Sequence, residues 1–77
     1  MSRGSNNANL KKLGVHIKRL RESKNLSLRE LSYECDLDNS KISKIEQGQI
    51  NITFSTILQL AKALGITPSQ LLQTDFD

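Results

Sequence analysis

The apolar residues of this chain recur at helical spacing, but only in segments too short to be stable as separate helices. The first segment has spacings of three, four and three residues, and its members are Leu10, Leu13, Ile17 and Leu20. Helices of fewer than about 12 residues are marginal in water because their nucleation is costly. The segments must therefore bury their apolar faces together, in one shared core.

Five helices are predicted from this periodicity and from the residues that flank each segment. Their predicted positions are residues 10–23, 28–35, 39–47, 54–64 and a last helix that begins at Pro68. Ser27 and Glu30 have the spacing of a capping box before the second helix. The N-caps of the next three helices are Asp38, Thr53 and Thr67, and glycine follows the third and fourth helices at Gly48 and Gly65. No segment alternates like a strand, so the predicted fold class is all-α.

Two finer predictions concern the turn after the second helix and the apolar face of the fourth. A turn is predicted over residues 36–38, where the short polar side chain of Asp36 tolerates left-handed backbone angles. One face of the fourth helix is predicted to pack inward, with members Phe54, Ile57, Leu60, Ala61 and Leu64. Aromatic residues make up only 4% of the chain, so the core is expected to be mainly aliphatic.

The length of 77 residues allows one small domain, because so short a chain buries only about 60% of the surface that it exposes when unfolded. Residues 1–9 are small and polar without periodicity, so they are predicted to be a disordered arm or a remnant of cloning. The domain itself is predicted to span residues 10–73, followed by a short tail over residues 74–77. No effector domain is expected after Leu72.

Several functional classes are excluded by what the sequence lacks. No stretch has more than two consecutive apolar residues, which excludes a membrane span or a secretory signal and predicts a cytoplasmic protein. The single cysteine, Cys35, is expected to be a small buried hydrophobe, and the single histidine, His16, has no metal-ligand partner nearby. Neither paired carboxylates nor a nucleophile with its base is present. We therefore predict a non-enzyme with no metal, cofactor or small-molecule ligand.

The positive charge is concentrated in the first part of the chain. Up to Lys44 there are ten Lys or Arg residues against five acids, whereas the remaining residues contain one Lys against three acids. Such a run is either a solvated helix face or a surface that binds phosphate groups. Composition alone leaves both interpretations open.

The polar face of the third predicted helix favours the second interpretation. Ile42 and Ile45 lie three residues apart on one face, and the opposite face carries Asn39, Ser40, Ser43 and Lys44. Asn and Ser are poor helix formers, but they supply both hydrogen-bond donors and acceptors. Asn pairs with adenine, Lys with guanine and Ser with any base in a DNA major groove. The alternative is an ordinary solvated surface, since Asn and Ser are also common where helices begin.

Some sixty residues, from about Leu13 to Leu72, resemble the helix-turn-helix domain of the phage repressor and Cro family, the XRE-type regulators. The resemblance covers three segments in the same order and spacing: HIKRLRES, LSLRELSYECDLDNSKISKIEQGQ and TILQLAKALGITPSQLL. It implies a compact five-helix, lambda-repressor-like domain whose second and third helices form the motif. Residues matching Leu31, Ser32, Leu37, Ile42 and Ile45 form the interior of that two-helix unit.

The resemblance also implies a set of DNA contacts. Its base-contacting positions are Asn39, Ser40, Ser43 and Lys44. Its phosphate-contacting positions are Arg21, Ser27, Leu28, Lys41, Gln49 and Asn51, with Lys11, Lys12 and Lys18 adding long-range attraction. A structural ion pair is expected between Arg21 and Glu46. Many members have Gln where this chain has Leu28, so the phosphate contact there differs from the family pattern.

The implied function is a sequence-specific regulator of transcription that binds double-stranded DNA as a homodimer, like the small controllers of restriction–modification operons. The dimer is expected to form through helix 5 and the tail, with Leu72 and Phe76, and through patches at Val15 and Leu58. A second hypothesis is a protein-interaction module, such as an antitoxin. Leu28 and the absence of Arg from helix 3 favour it, whereas the basic first half opposes it.

Overall fold

The computed structural model describes residues 3–76, and side chains within that range from residue 7 onward. All regular structure in residues 3–76 is helical: α1 (Arg3–Ser23), α2 (Leu28–Glu34), α3 (Asn39–Glu46), α4 (Phe54–Leu64) and α5 (Pro68–Leu71). The prediction of a five-helix, all-α fold is confirmed. Over the same residues, no helix is both long enough and apolar enough to cross a membrane.

The four predicted N-cap residues cap their helices in the structure. The Ser27 hydroxyl accepts from the Glu30 backbone N–H at 3.0 Å, and the Ser27 N–H donates to the Glu30 carboxylate at 2.8 Å. The Asp38 carboxylate accepts from the Lys41 N–H at 2.7 Å and begins α3. Thr53 and Thr67 cap α4 and α5 in the same way. Each cap satisfies a backbone donor that the first helical turn leaves without a partner.

The first helix begins earlier than predicted. It starts at Arg3, so the part of the predicted disordered arm from 3 to 9 is helical, whereas Met1 and Ser2 lie outside the described residues. No proline interrupts this part of the chain, and each residue added to an existing helix gains one hydrogen bond. The helix therefore continues through the predicted domain boundary at residues 9 and 10, although most of residues 3–9 are Gly, Ser or Asn, which are poor helix formers.

The left-handed residue is not in the predicted turn. Asn25, between α1 and α2, has a φ of 57°, and no other non-glycine residue described in the chain has a positive φ. The predicted turn is present, but Asp36 does not use the left-handed angles that it could tolerate. Cys35 ends α2 in an extended conformation, and the Asp36 N–H donates to the Gln59 side chain at 3.2 Å. This tertiary hydrogen bond holds the turn without left-handed angles.

The aliphatic core lies where α1, α2 and α3 meet α4 and α5. Its fully or nearly buried members are Leu13, Ile17, Leu31, Leu37, Ile42, Ile45, Leu60, Ala61, Leu64 and Leu71. The predicted interior residues of the two-helix unit are among them, except Ser32, which is half-buried and donates to the Arg29 carbonyl at 2.7 Å. The predicted face of α4 is wrong at Phe54, which is 68% exposed, because the core does not extend to the first residue of that helix.

Candidate nucleic-acid interface

The third helix presents its polar residues outward. Ile42 and Ile45 are buried against the core, whereas Asn39, Ser40 and Lys44 are exposed and Ser43 is half-buried. All four predicted base-contacting residues therefore lie on the side of α3 that faces away from the core. Asn39 has no capping role, because the carboxylate of Asp38 performs it. We call this surface, formed by Asn39, Ser40, Ser43 and Lys44, the α3 face.

A buried ion pair fixes the end of α3 to the end of α1. The Arg21 guanidinium donates from Nε to Glu46 Oε2 at 2.8 Å and from Nη2 to Glu46 Oε1 at 3.0 Å. Its Nη1 donates to the Leu26 carbonyl at 2.7 Å, so the same group also holds the loop before α2. The hydrogen bond to Glu46 raises the pKa of Arg21, which keeps the guanidinium charged. The predicted ion pair is present, and its two parallel hydrogen bonds set an orientation as well as a distance.

The same geometry disfavours a phosphate contact by Arg21. Its exposed fraction is 8%, and its guanidinium is directed at Glu46 and Leu26 inside the protein. A phosphate contact would require breaking this buried pair, which is costly because it leaves a carboxylate without a partner. The phosphate contact at Arg21 stays a prediction, which this geometry disfavours, whereas the ion pair connects the end of α1 to the end of α3.

Two glycines allow α1 to approach the end of α3 closely. A Cβ atom on Gly14 would lie 2.5 Å from the Ile45 carbonyl oxygen and closer still to that of Glu46. Gly48, which follows α3 with a φ of 71°, lies against the backbone of Lys11, so that a Cβ atom there would lie 2.7 Å from Lys11 Cα. Gly14 was not among the residues predicted from the sequence to matter for the interface. Its signal was a glycine inside a strongly periodic helix, which indicates close packing.

The remaining predicted phosphate-contacting residues lie on α3, in the loop that follows it and at the start of α2. Lys41, Gln49 and Asn51 are exposed, on α3 or in the loop that follows it. Ser27 begins α2, but its backbone N–H is occupied by Glu30, and Leu28 is half-buried against the core. Ser27 and Leu28 are therefore weaker candidates for a phosphate contact than their positions at the start of α2 suggested.

Side-chain hydrogen bonds connect the α3 face to the following loop. Gln47 Nε2 donates to Ser43 Oγ at 2.9 Å, and Gln49 Nε2 donates to Gln47 Oε1 at 2.8 Å. Gln47 is the C-cap residue of α3, and its exposed side chain turns back along the helix to reach Ser43. Gln47 was not among the predicted site residues, because the spacing of Ser43 and Gln47 on a helix permits this hydrogen bond but does not require it.

Among residues 7–76, whose side chains the structure describes, six large apolar residues are exposed outside this interface: Val15, Tyr33, Phe54, Leu58, Leu72 and Phe76. The four residues predicted for a dimer surface are among them. Cys35 is half-buried and packs against the core, and burial raises the pKa of its thiol. In residues 3–76 no group of three His, Cys, Asp or Glu side chains is placed to hold a metal ion.

Comparison with known proteins agrees with this geometry. The family described as "Helix-turn-helix domain" matches residues 14–75. Control protein C.BamHI of Bacillus amyloliquefaciens is 42% identical over 60 residues, which cover 77% of this chain and 74% of that protein.

Two solved structures of controller proteins have the same fold. The restriction–modification controller C.AhdI from Aeromonas hydrophila superposes with a TM-score of 0.81 at 41% identity, covering 83% of this chain and 97% of that chain. C.Esp1396I, solved as a tetramer in complex with its natural 35-base-pair operator, gives a TM-score of 0.78 at 28% identity, covering 84% of this chain and 86% of that chain. The chain therefore belongs to the helix-turn-helix family of XRE-type regulators.

Proposed function

We propose that this protein is a sequence-specific, double-stranded DNA-binding regulator of transcription that inserts α3 into the major groove. The observation that carries the proposal is the α3 face, a group of outward polar side chains on a helix that a buried ion pair holds in one orientation. The major groove is wide enough for one helix, and its base edges offer the donors and acceptors that Asn, Ser and Lys match.

The residues around the α3 face are suited to hold the DNA backbone. Lys41, Gln49 and Asn51 supply side-chain donors, with Ser27 and Leu28 at the start of α2 as weaker candidates. The exposed Lys11 and Lys18 of α1 add attraction that acts at longer range. The protein acts by binding and not by catalysis, and it does so in the cytoplasm.

A homodimer is the expected binding unit, because one module of this size covers only a short stretch of duplex. Two-fold dimers of helix-turn-helix domains bind half-sites about 10 base pairs apart. The C.Esp1396I complex, a tetramer on a 35-base-pair operator, supports an oligomeric mode for this chain as well. Leu72 and Phe76, at the end of α5 and in the tail, are the proposed apolar contacts.

Selection of bound sequences from a random duplex library tests this function. We expect an inverted repeat with half-sites about one helical turn apart, and an affinity that falls steeply as salt increases. Weak binding to all sequences alike, with an affinity that salt hardly changes, would instead favour the protein-interaction module. The search would then turn to a protein partner.

The substitution Asn39→Ala is expected to weaken binding to the selected site by about 1–3 kcal/mol, because a bidentate contact to one base is lost. Thermal stability should be nearly unchanged, since Asn39 is exposed and Asp38 is the cap of α3. Titration of matched duplexes and a melting curve measure both quantities. A large drop in melting temperature with unchanged DNA affinity would make Asn39 a structural residue.

A matched pair of lysine substitutions separates local contact from total charge. Lys44→Ala, on the α3 face, is expected to reduce specific affinity by about 1–3 kcal/mol. Lys62→Ala removes the same charge from the exposed surface of α4, outside the interface, and should have a much smaller effect. Titrations of both variants against the selected site at one salt concentration make the comparison. Equal losses in the two variants would show that charge alone drives binding.

A further inference from the structure

The hydrogen bonds that link Ser43, Gln47 and Gln49 restrict what Ser43 can offer to DNA. A serine hydroxyl has one O–H donor and two acceptor lone pairs, so it normally pairs with either kind of base group. Here Gln47 Nε2 occupies one of the two acceptor sites on Ser43 Oγ, which leaves the O–H donor and one lone pair. Among residues 3–76, no bond uses the Ser43 O–H itself, so the donor remains for a further partner.

The orientation of the Gln47 amide is held from its other end. Gln49 Nε2 donates to Gln47 Oε1, which places the carbonyl of Gln47 toward the loop and its NH₂ group toward Ser43. Reversing the Gln47 amide alone would bring two NH₂ groups together at Gln49 and remove the donor from Ser43. With the Gln49 amide in the orientation that it has here, both hydrogen bonds therefore favour the same orientation of the Gln47 amide.

We propose that Gln47 is a positioning residue that favours donation by the Ser43 hydroxyl toward DNA, because it occupies one of the two Ser43 lone pairs, so that Ser43 prefers a base with a major-groove acceptor. Guanine, adenine and thymine each present such an acceptor, whereas cytosine presents only the N4 amino donor. The expected selectivity at the base that Ser43 contacts is against cytosine. This inference rests on the proposed function, because it assigns a specificity to the same α3 face.

The test begins by locating the base pair that Ser43 contacts, as the position where Ser43→Ala loses its preference in a sequence selection. Gln47→Met keeps the length of the side chain but removes both of its hydrogen bonds. We expect Gln47→Met to lose about tenfold selectivity at that same base pair, with an unchanged melting temperature. Adding Gln47→Met to Ser43→Ala should cause no further loss there, because Gln47 acts through Ser43.

A second substitution reverses the polarity of the contact. In Gln47→Glu the carboxylate only accepts, so the Ser43 O–H is expected to donate to it and turn the Ser43 lone pairs toward the groove. The preference should then shift toward cytosine, whose N4 amino group is a donor. The readout is the ratio of affinities for two duplexes that differ at one base pair, because the added negative charge weakens binding to both.

Three results would overturn the inference while leaving the proposed function intact. They are a wild-type preference retained by Gln47→Met, a preference lost at a different base pair, and a Gln47→Glu protein that still disfavours cytosine. The second would mean that Gln47 contacts DNA directly. Failure of the proposed function itself is distinct, because the unmodified protein would then select no sequence at all.

Discussion

Replacing Glu46 by alanine is expected to destabilise the protein by about 3–5 kcal/mol, because it leaves the buried Arg21 guanidinium without its carboxylate. The side chains of Arg21 and Glu46 are 9% and 5% exposed, so water cannot replace the lost partner without opening the contact between α1 and α3. Small domains have a total unfolding free energy of about 5–15 kcal/mol. Glu46→Ala is therefore expected to remove a large part of the free energy of unfolding. Urea denaturation monitored by circular dichroism measures this loss.

Two control variants separate the charge from the contact. Glu46→Gln retains one acceptor for Arg21 and should lose less stability, which keeps the measurement possible if Glu46→Ala does not fold. The double substitution of Arg21→Met with Glu46→Leu removes both charges and should recover most of the stability, because no buried charge is left alone. Specific DNA affinity should not recover equally, since the hydrogen bonds that orient α3 are gone. A loss below about 1 kcal/mol in Glu46→Ala would show that the pair behaves as an exposed one.

Substituting Gly14 by alanine is expected to destabilise the protein by about 1–3 kcal/mol through a clash between α1 and α3. The added methyl group would lie 2.5 Å from the Ile45 carbonyl oxygen, and a backbone atom cannot move aside as a side-chain end can. In a helix interior, alanine is otherwise preferred to glycine by about 1 kcal/mol. The expected result therefore opposes helix propensity, and thermal or urea unfolding determines its sign.

The control for this substitution is Lys18→Ala, at an exposed position in the same helix, which should change stability by no more than about 0.5 kcal/mol. Gly14→Ala should also weaken operator binding in the protein that remains folded, because the clash displaces the end of α3. If Gly14→Ala instead stabilised the protein, α1 and α3 would have to lie farther apart in solution than they do here.

Features that depend on residues close together in the sequence were predicted better than features that join distant residues. The caps at Ser27, Asp38 and Thr53 were predicted correctly, because a cap and the N–H that it binds lie within three residues of each other. The ion pair of Arg21 and Glu46 joins residues 25 positions apart and was predicted only through family resemblance. The same resemblance also implied a phosphate contact for Arg21, which its burial disfavours.

Two other predictions, for Phe54 and for the start of α1, relied on local sequence patterns alone. The spacing of Phe54 with Ile57 placed both on one face, but the core covers α4 only after its first residue. The polar composition of residues 1–9 indicated an irregular arm, whereas the helix continues to Arg3. Periodicity describes which residues share a face, but it does not show how much of that face a neighbouring element covers.

The sequence by itself determined the helices, most of their ends and the outward direction of the α3 face, because caps and helical periodicity are properties of residues a few positions apart. Only the tertiary structure decided the close approach at Gly14, the burial of Arg21 and the hydrogen bonds that direct Gln47 toward Ser43. These features depend on distances between separate elements and on which side-chain rotamers packing leaves available. The candidate base-contacting residues could therefore be predicted from the sequence. The packing and hydrogen bonds that position these residues could be found only in the tertiary structure.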